Sequence, residues 1–121
     1  MKKLLLLWVG LSYPAVCLAA EPWDRTDIAL GLTSTAALVV DWGQTRYIAK
    51  HPKQCSETNP YLGEHPSIGR VDAYFTGVIV GNLLLGNWLT PDKRKLLFGA
   101  VIVTELLVIG KNRAVGIKAE F

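Results

Sequence analysis

Apolar residues in this chain do not alternate with charged ones at the period of a surface helix or of a strand. They come in long blocks separated by short polar segments. The first block is Leu4 to Leu11. The second covers residues 28–48, with no charge before Asp41, and its length suits the roughly 20 residues needed to cross a bilayer. The third covers residues 72–90. The fourth covers residues 92–111, with its apolar stretch from Leu96 to Gly110. Asp24 or Thr26 is placed to cap a helix over the second block, and Ser67, just after Pro66, to cap the next. Thr90-Pro91 reads as an N-cap followed by proline at the first helical position. The connection between the last two helices is therefore tight and makes an antiparallel hairpin. A chain of this size cannot wrap three all-round apolar helices in an amphipathic shell. The expected fold is thus all-α: an integral membrane protein with a signal peptide followed by a three-helix transmembrane bundle.

Residues 1–20 have the layout of a secretory signal. Lys2 and Lys3 precede the apolar stretch, and Cys17-Leu18-Ala19-Ala20 supplies small residues ahead of the polar run that begins at Glu21. Cleavage after Ala20 is expected, with an uncleaved anchor as the alternative. In both cases the next segment starts outside the cytoplasm. The formal net charge is +3. Cleavage would remove Lys2 and Lys3, so the basic balance is largely an address and implies no nucleic-acid partner. It would also remove Cys17 and leave Cys55 as the one thiol, without an intramolecular disulfide.

This start sets the threading: residue 21 outside, the 49–71 loop inside, the 91–95 turn outside and the tail inside. Arg46, Lys50, Lys53, Arg70, Lys111, Arg113 and Lys118 then lie inside and outnumber Arg25, Lys93, Arg94 and Lys95, as positive-inside bias requires. The Lys93-Arg94-Lys95 run is expected to snorkel to headgroups. Trp23, Trp42, Tyr47, Tyr74 and Trp88 fall near the expected membrane boundaries. The location is the bacterial inner membrane, and the lipid bilayer is the first partner.

Two acidic residues lie at membrane depth. Asp41 and Glu105 sit on helices that run in the same direction, at similar distances from the inner end. An intramembrane carboxylate costs roughly 2.5–3.5 kcal/mol on insertion scales and normally faces protein or water. The pair could share a proton, bind a cation, or meet basic residues such as Arg46 or Lys111. Thr45 and Gln44 share the face of Asp41, and Asn112 lies seven residues beyond Glu105. The third block adds Asn82 and a small-residue stripe, Ala73, Gly77 and Gly81, of the kind that lets helices approach closely.

The inner loop is rich in proline and glycine and holds the run Glu57-Thr58-Asn59-Pro60, where an Asn-Pro step starts a turn. The pattern Asp41-x-x-x-Thr45, then Glu57-x-Asn59-Pro60, then Asn112 resembles that of an uncharacterised family of small bacterial helical membrane proteins. The resemblance spans about residues 30–112 and implies the architecture and the choice of residues, with no activity attached. This chain differs in its longer, proline-rich loop and its signal-like start. His51, His65, Cys55, Glu57 and Glu64 also lie in the loop, but their spacings fit no standard metal site, and no cofactor is expected.

Asp41, Thr45, Glu57, Asn59, Glu105 and Asn112 are therefore expected to form a polar cluster at the cytoplasmic side, with the Glu57–Pro60 turn folded over it and Asn59 bonding carbonyls at the end of the first helix. Three functions fit. The first is a structural or interaction protein that acts as an accessory subunit or associates with itself. The second is a holin-like, lesion-forming protein. The third is a membrane-embedded enzyme or transporter element that uses Asp41 and Glu105.

Overall fold

In the computed structural model, which describes residues 21–121, the chain forms three α-helices: α1 (Arg25–Lys50), α2 (Ile68–Trp88) and α3 (Pro91–Ala114). No strand occurs among the described residues. The expected signal segment and its cleavage point lie outside them.

Each helix starts where its capping residues allow. The Asp24 side chain accepts from the Asp27 amide at 2.7 Å, and the Asp27 side chain accepts from the Asp24 amide at 3.0 Å, a reciprocal capping box. Ser67 accepts from the Arg70 amide at 3.2 Å and starts α2 a turn before residue 72. Thr90 is extended and Pro91 opens α3, although the Thr90 side chain makes no capping bond. The helices outrun the apolar blocks. With 26 residues, α1 measures about 39 Å.

Only Leu89 and Thr90 separate α2 from α3. α1 packs most extensively on α3 and less so on α2. Two apolar centres hold the bundle. Near the 51–67 loop, Leu62, Val71 and Phe75 are buried, with Trp42 and Tyr74 against them. At the opposite end Phe98 is fully buried and lies 5.4 Å from the Trp23 ring. Gly31 and Gly86 make room there: a Cβ on Gly31 would sit 2.9 Å from Trp23, and one on Gly86 would overlap Phe98. Beyond α3 the chain reverses at Gly116, whose φ of +88° is in the left-handed region that favours glycine. It then crosses α1, where the Glu120 amide donates to Gly43 O at 3.0 Å and Phe121 meets the edge of Trp42.

The small-residue stripe is not part of this packing. Ala73, Gly77 and Gly81 are exposed, and nothing lies within 4 Å of a Cβ on either glycine. The close approaches use Gly31, Gly43 and Gly86 instead.

Besides its two apolar centres the bundle buries polar side chains and exposes apolar ones. Asp27, Ser34, Gln44, Thr45, Asn82 and Arg94 are buried, whereas Leu32, Leu96 and Leu107 are 68%, 73% and 70% exposed. Among the described residues one helix, Ile68–Trp88, is long and apolar enough, by length and composition, to cross a membrane.

Candidate functional site

Where α1 ends and the loop begins, the three helices part around a cavity of about 330 Å³. Asp41 and Thr45 reach it from one face of α1, Glu105 from α3, and Tyr74 from α2, while Glu57 and Asn59 close it from the loop. The helices put these groups together for a simple reason. A spacing of four keeps Asp41 and Thr45 on one stripe, and the parallel run of α1 and α3 brings Glu105 to the depth of Asp41. Both carboxyl groups line the same cavity. Thr45 Oγ1 donates to Asp41 O at 2.9 Å and lies 3.5 Å from Asp41 Oδ1. Among the described residues, Glu105 Oε2 is buried without a hydrogen-bond partner and no basic side chain lines the cavity.

The loop is tied down over this cleft by its own polar groups. Glu57 Oε1 accepts from the amides of Thr58 and Asn59, each at 2.9 Å. Asn59 Oδ1 accepts from the Tyr61 amide at 3.0 Å, closing an Asx turn at the Asn-Pro step. Its amide nitrogen then donates to the Tyr74 hydroxyl at 3.0 Å and anchors the turn to α2. The Glu57 amide donates to Glu64 O at 2.8 Å and fixes the base of the loop.

A second cavity of about 220 Å³ adjoins the first and shares Leu38, Val78, Thr104 and Glu105 with it. Leu97, Ala100 and Val101 complete its apolar walls, and Asn82 lies along it. Asn82 Nδ2 donates to Ser34 Oγ at 3.1 Å. Its Oδ1 has no partner, although the residue is only 8% exposed.

Five of the six residues expected in the polar cluster line the first cavity: Asp41, Thr45, Glu57, Asn59 and Glu105. Asn112 does not. Its amide donates to Gln44 Oε1 at 3.1 Å, and Gln44 Nε2 donates to Ile109 O at 3.3 Å, so the two side chains lace α1 to α3. Their stripe is rotated away from the cleft. Asn59 does not reach the end of α1. His51 Nδ1 lies there instead, 2.8 Å from Tyr47 O. Arg46 is not a partner of the carboxyl pair, because it grips both oxygens of Asp72 at 2.6 and 2.7 Å. Trp42 Nε1 donates to the same carboxylate at 2.8 Å. Lys111 is exposed. Cys55 is a free thiol, and no group of three or more His, Cys, Asp or Glu among the described residues is placed to hold a metal. Tyr74 and Asn82 enter the site from α2. One read as a boundary aromatic, the other only as a polar residue near mid-depth, and neither carries a motif.

The opposite end holds a second polar centre, and here the snorkelling expectation is corrected. Arg94 is fully buried. Its Nη1 donates to Asp27 Oδ2 at 2.8 Å, and its Nε to Gly86 O at 2.7 Å. Nη2 donates to the carbonyls of Glu21 and Leu89, each at 3.2 Å. The guanidinium also lies 5.2 Å from the Trp23 ring centre. Planar, divergent donors let one side chain satisfy carbonyls from several segments, which a snorkelling lysine cannot do. Lys95 binds the other oxygen of Asp27 at 2.8 Å. Burial works to raise the Asp27 carboxyl. The hydrogen bonds from Lys95, the Asp24 amide and Arg94 outweigh it and hold the group at about 2.

No protein-family model matches the chain, and neither does a curated protein or a solved structure.

Proposed function

We propose that the protein is a three-span inner-membrane protein whose working part is the acidic cleft at the cytoplasmic end of the bundle. The carrying observation is convergence: Asp41 and Glu105 from two helices meet under a loop turn that presents Glu57 and Asn59. A bundle that needed polar glue would pair its carboxylates with donors, as Asp27 is paired with Arg94 and Asp72 with Arg46. Among the described residues these two have no basic partner, and both line the cavity. Large apolar side chains exposed on all three helices support the bilayer setting. On this reading the D-x-x-x-T and E-x-N-P elements mark the two walls of one cleft, and the family resemblance is a likeness of site. The threading places residue 21 outside and residues beyond 114 inside.

The test is stability. Functional groups held unpaired cost a fold stability, and their removal tends to restore it. The double variant Asp41→Asn with Glu105→Gln should insert normally and keep or raise its melting temperature in detergent. A fall of more than about 5 °C, roughly 1 kcal/mol for a chain of this size, would show that the carboxylates hold the bundle together.

A second reading, self-association, is favoured by the outward position of Ala73, Gly77 and Gly81. Disulfide cross-linking of a Gly77→Cys variant in native membranes would reveal it, and its absence would remove it.

A further inference from the structure

The cleft is acidic and no basic side chain lines it among the described residues. Asp41, Glu105 and Glu57 bring carboxyl groups, and Arg46 is engaged by Asp72. Glu105 Oε2 is buried and has no hydrogen-bond partner among the described residues. Behind Glu105 the space continues as an apolar pocket, and along that pocket Asn82 Oδ1 is a second buried acceptor without a donor. Unsatisfied buried acceptors are uncommon and call for a partner. Here two of them border adjoining cavities of about 330 and 220 Å³.

We infer that the cleft and the pocket behind it form one site for a small primary amine with a short apolar chain, its ammonium between Asp41 and Glu105 and its chain directed toward Asn82. An ammonium carries three donors and no acceptor, which suits several separate carboxyl oxygens. A quaternary ammonium has no donor to give them. The apolar walls of Leu38, Val78, Leu97 and Val101 exclude a second charge but accept methylene groups. Reach is limited by the helix. Asp41 lies seven residues from Ser34, the partner of Asn82, which is about 10 Å along α1. A chain of about five carbons spans most of that distance, and a terminal hydroxyl would supply the donor that Asn82 Oδ1 lacks.

The inference rests on the cleft being the working part of the protein, and the experiment separates the two. The purified full chain in detergent micelles is titrated by calorimetry with n-pentylammonium, with protein-free micelles subtracted. Saturable one-to-one binding is expected. Asp41→Asn or Glu105→Gln should weaken it at least about tenfold, the loss of one charge-assisted hydrogen bond. The neutral isostere 1-pentanol should not bind saturably, and 5-amino-1-pentanol should bind more tightly than pentylammonium. Val101→Trp, which fills the apolar pocket, should abolish pentylammonium binding while methylammonium binding persists. Absence of saturable binding, equal binding of 1-pentanol, or unchanged binding in the Asp41→Asn, Glu105→Gln double variant would overturn the inference. If binding fails while that double variant keeps its melting temperature, the ligand class is wrong and the cleft stands. If its melting temperature falls, the cleft reading and this inference fail together.

Discussion

Replacing Arg94 probes the most concentrated set of polar contacts in the bundle. Arg94→Met keeps the length of the side chain and removes its donors. Breaking one side of a buried ion pair costs about 3–5 kcal/mol, mostly because the remaining group is left unpaired. Asp27 is not stripped entirely, since Lys95 stays 2.8 Å from Oδ1. The carbonyls of Gly86, Leu89 and Glu21 lose their donor, however, and each desolvated acceptor adds to the loss. We therefore expect a loss of about 3 kcal/mol, a large share of the 5–15 kcal/mol typical of a domain. Arg94→Lys should recover only part of it, because one ammonium cannot face acceptors in so many directions. Denaturant titration in mixed micelles, followed by the fluorescence of Trp23 and the other tryptophans, measures these differences. The Asp27→Asn, Arg94→Met pair should lose less than the sum of the single variants, with a coupling of about 1–3 kcal/mol. The same contact sets an acid limit. The Asp27 carboxyl lies at about 2 in the folded chain against an ordinary 3.8, so its contribution is complete above that ordinary value and fades as pH falls through about 2. Asp27→Asn should flatten that acid limb. A loss below about 1 kcal/mol for Arg94→Met, or strictly additive losses, would refute the reasoning.

The glycines divide sharply. Gly86→Ala drives a Cβ into Phe98 and should cost about 1–3 kcal/mol, whereas Gly77→Ala and Gly81→Ala meet open space and should be neutral or gain up to about 1 kcal/mol in thermal unfolding of the isolated chain. Asn59→Ala removes the bonds to Tyr74 and the Tyr61 amide. It should cost about 1 kcal/mol and speed amide exchange across residues 57–63, measured by mass spectrometry. Unchanged exchange there would mean that the turn is not held by Asn59.

The blocks, caps and tight hairpin were legible because they are local. Asp24 and Ser67 start their helices by bonding amides three residues on, and Pro91 opens α3 without a capping bond from Thr90. The depth match of Asp41 and Glu105 was legible too, because it follows from helix direction and residue spacing alone. Rotation about each helix axis was not. With apolar residues on every face, the pattern does not say which stripe turns inward. The pattern therefore groups Asn112 with the cleft, whereas it turns to Gln44, and it does not say whether the stripe through Gly77 meets a helix of the same chain; within this chain it meets none. The fate of Arg94 was hidden for a different reason. A basic run beside a turn looks like a headgroup anchor, and only the fold brings Asp27, Gly86 and Trp23 around it.

The central claim, a bundle whose exposed apolar side chains lie in lipid, is tested most directly by collision accessibility. Nitroxide labels are placed singly at Leu32, Val103 and Leu107, all on the outer surface, and at Thr58 on the loop over the cleft, with Cys17 and Cys55 replaced by serine. In reconstituted bilayers the first three labels should relax with dissolved oxygen and be shielded from a water-soluble nickel chelate, while Thr58 shows the reverse. Ready access of the nickel chelate to Leu32, Val103 and Leu107 would place those faces in water and contradict the account.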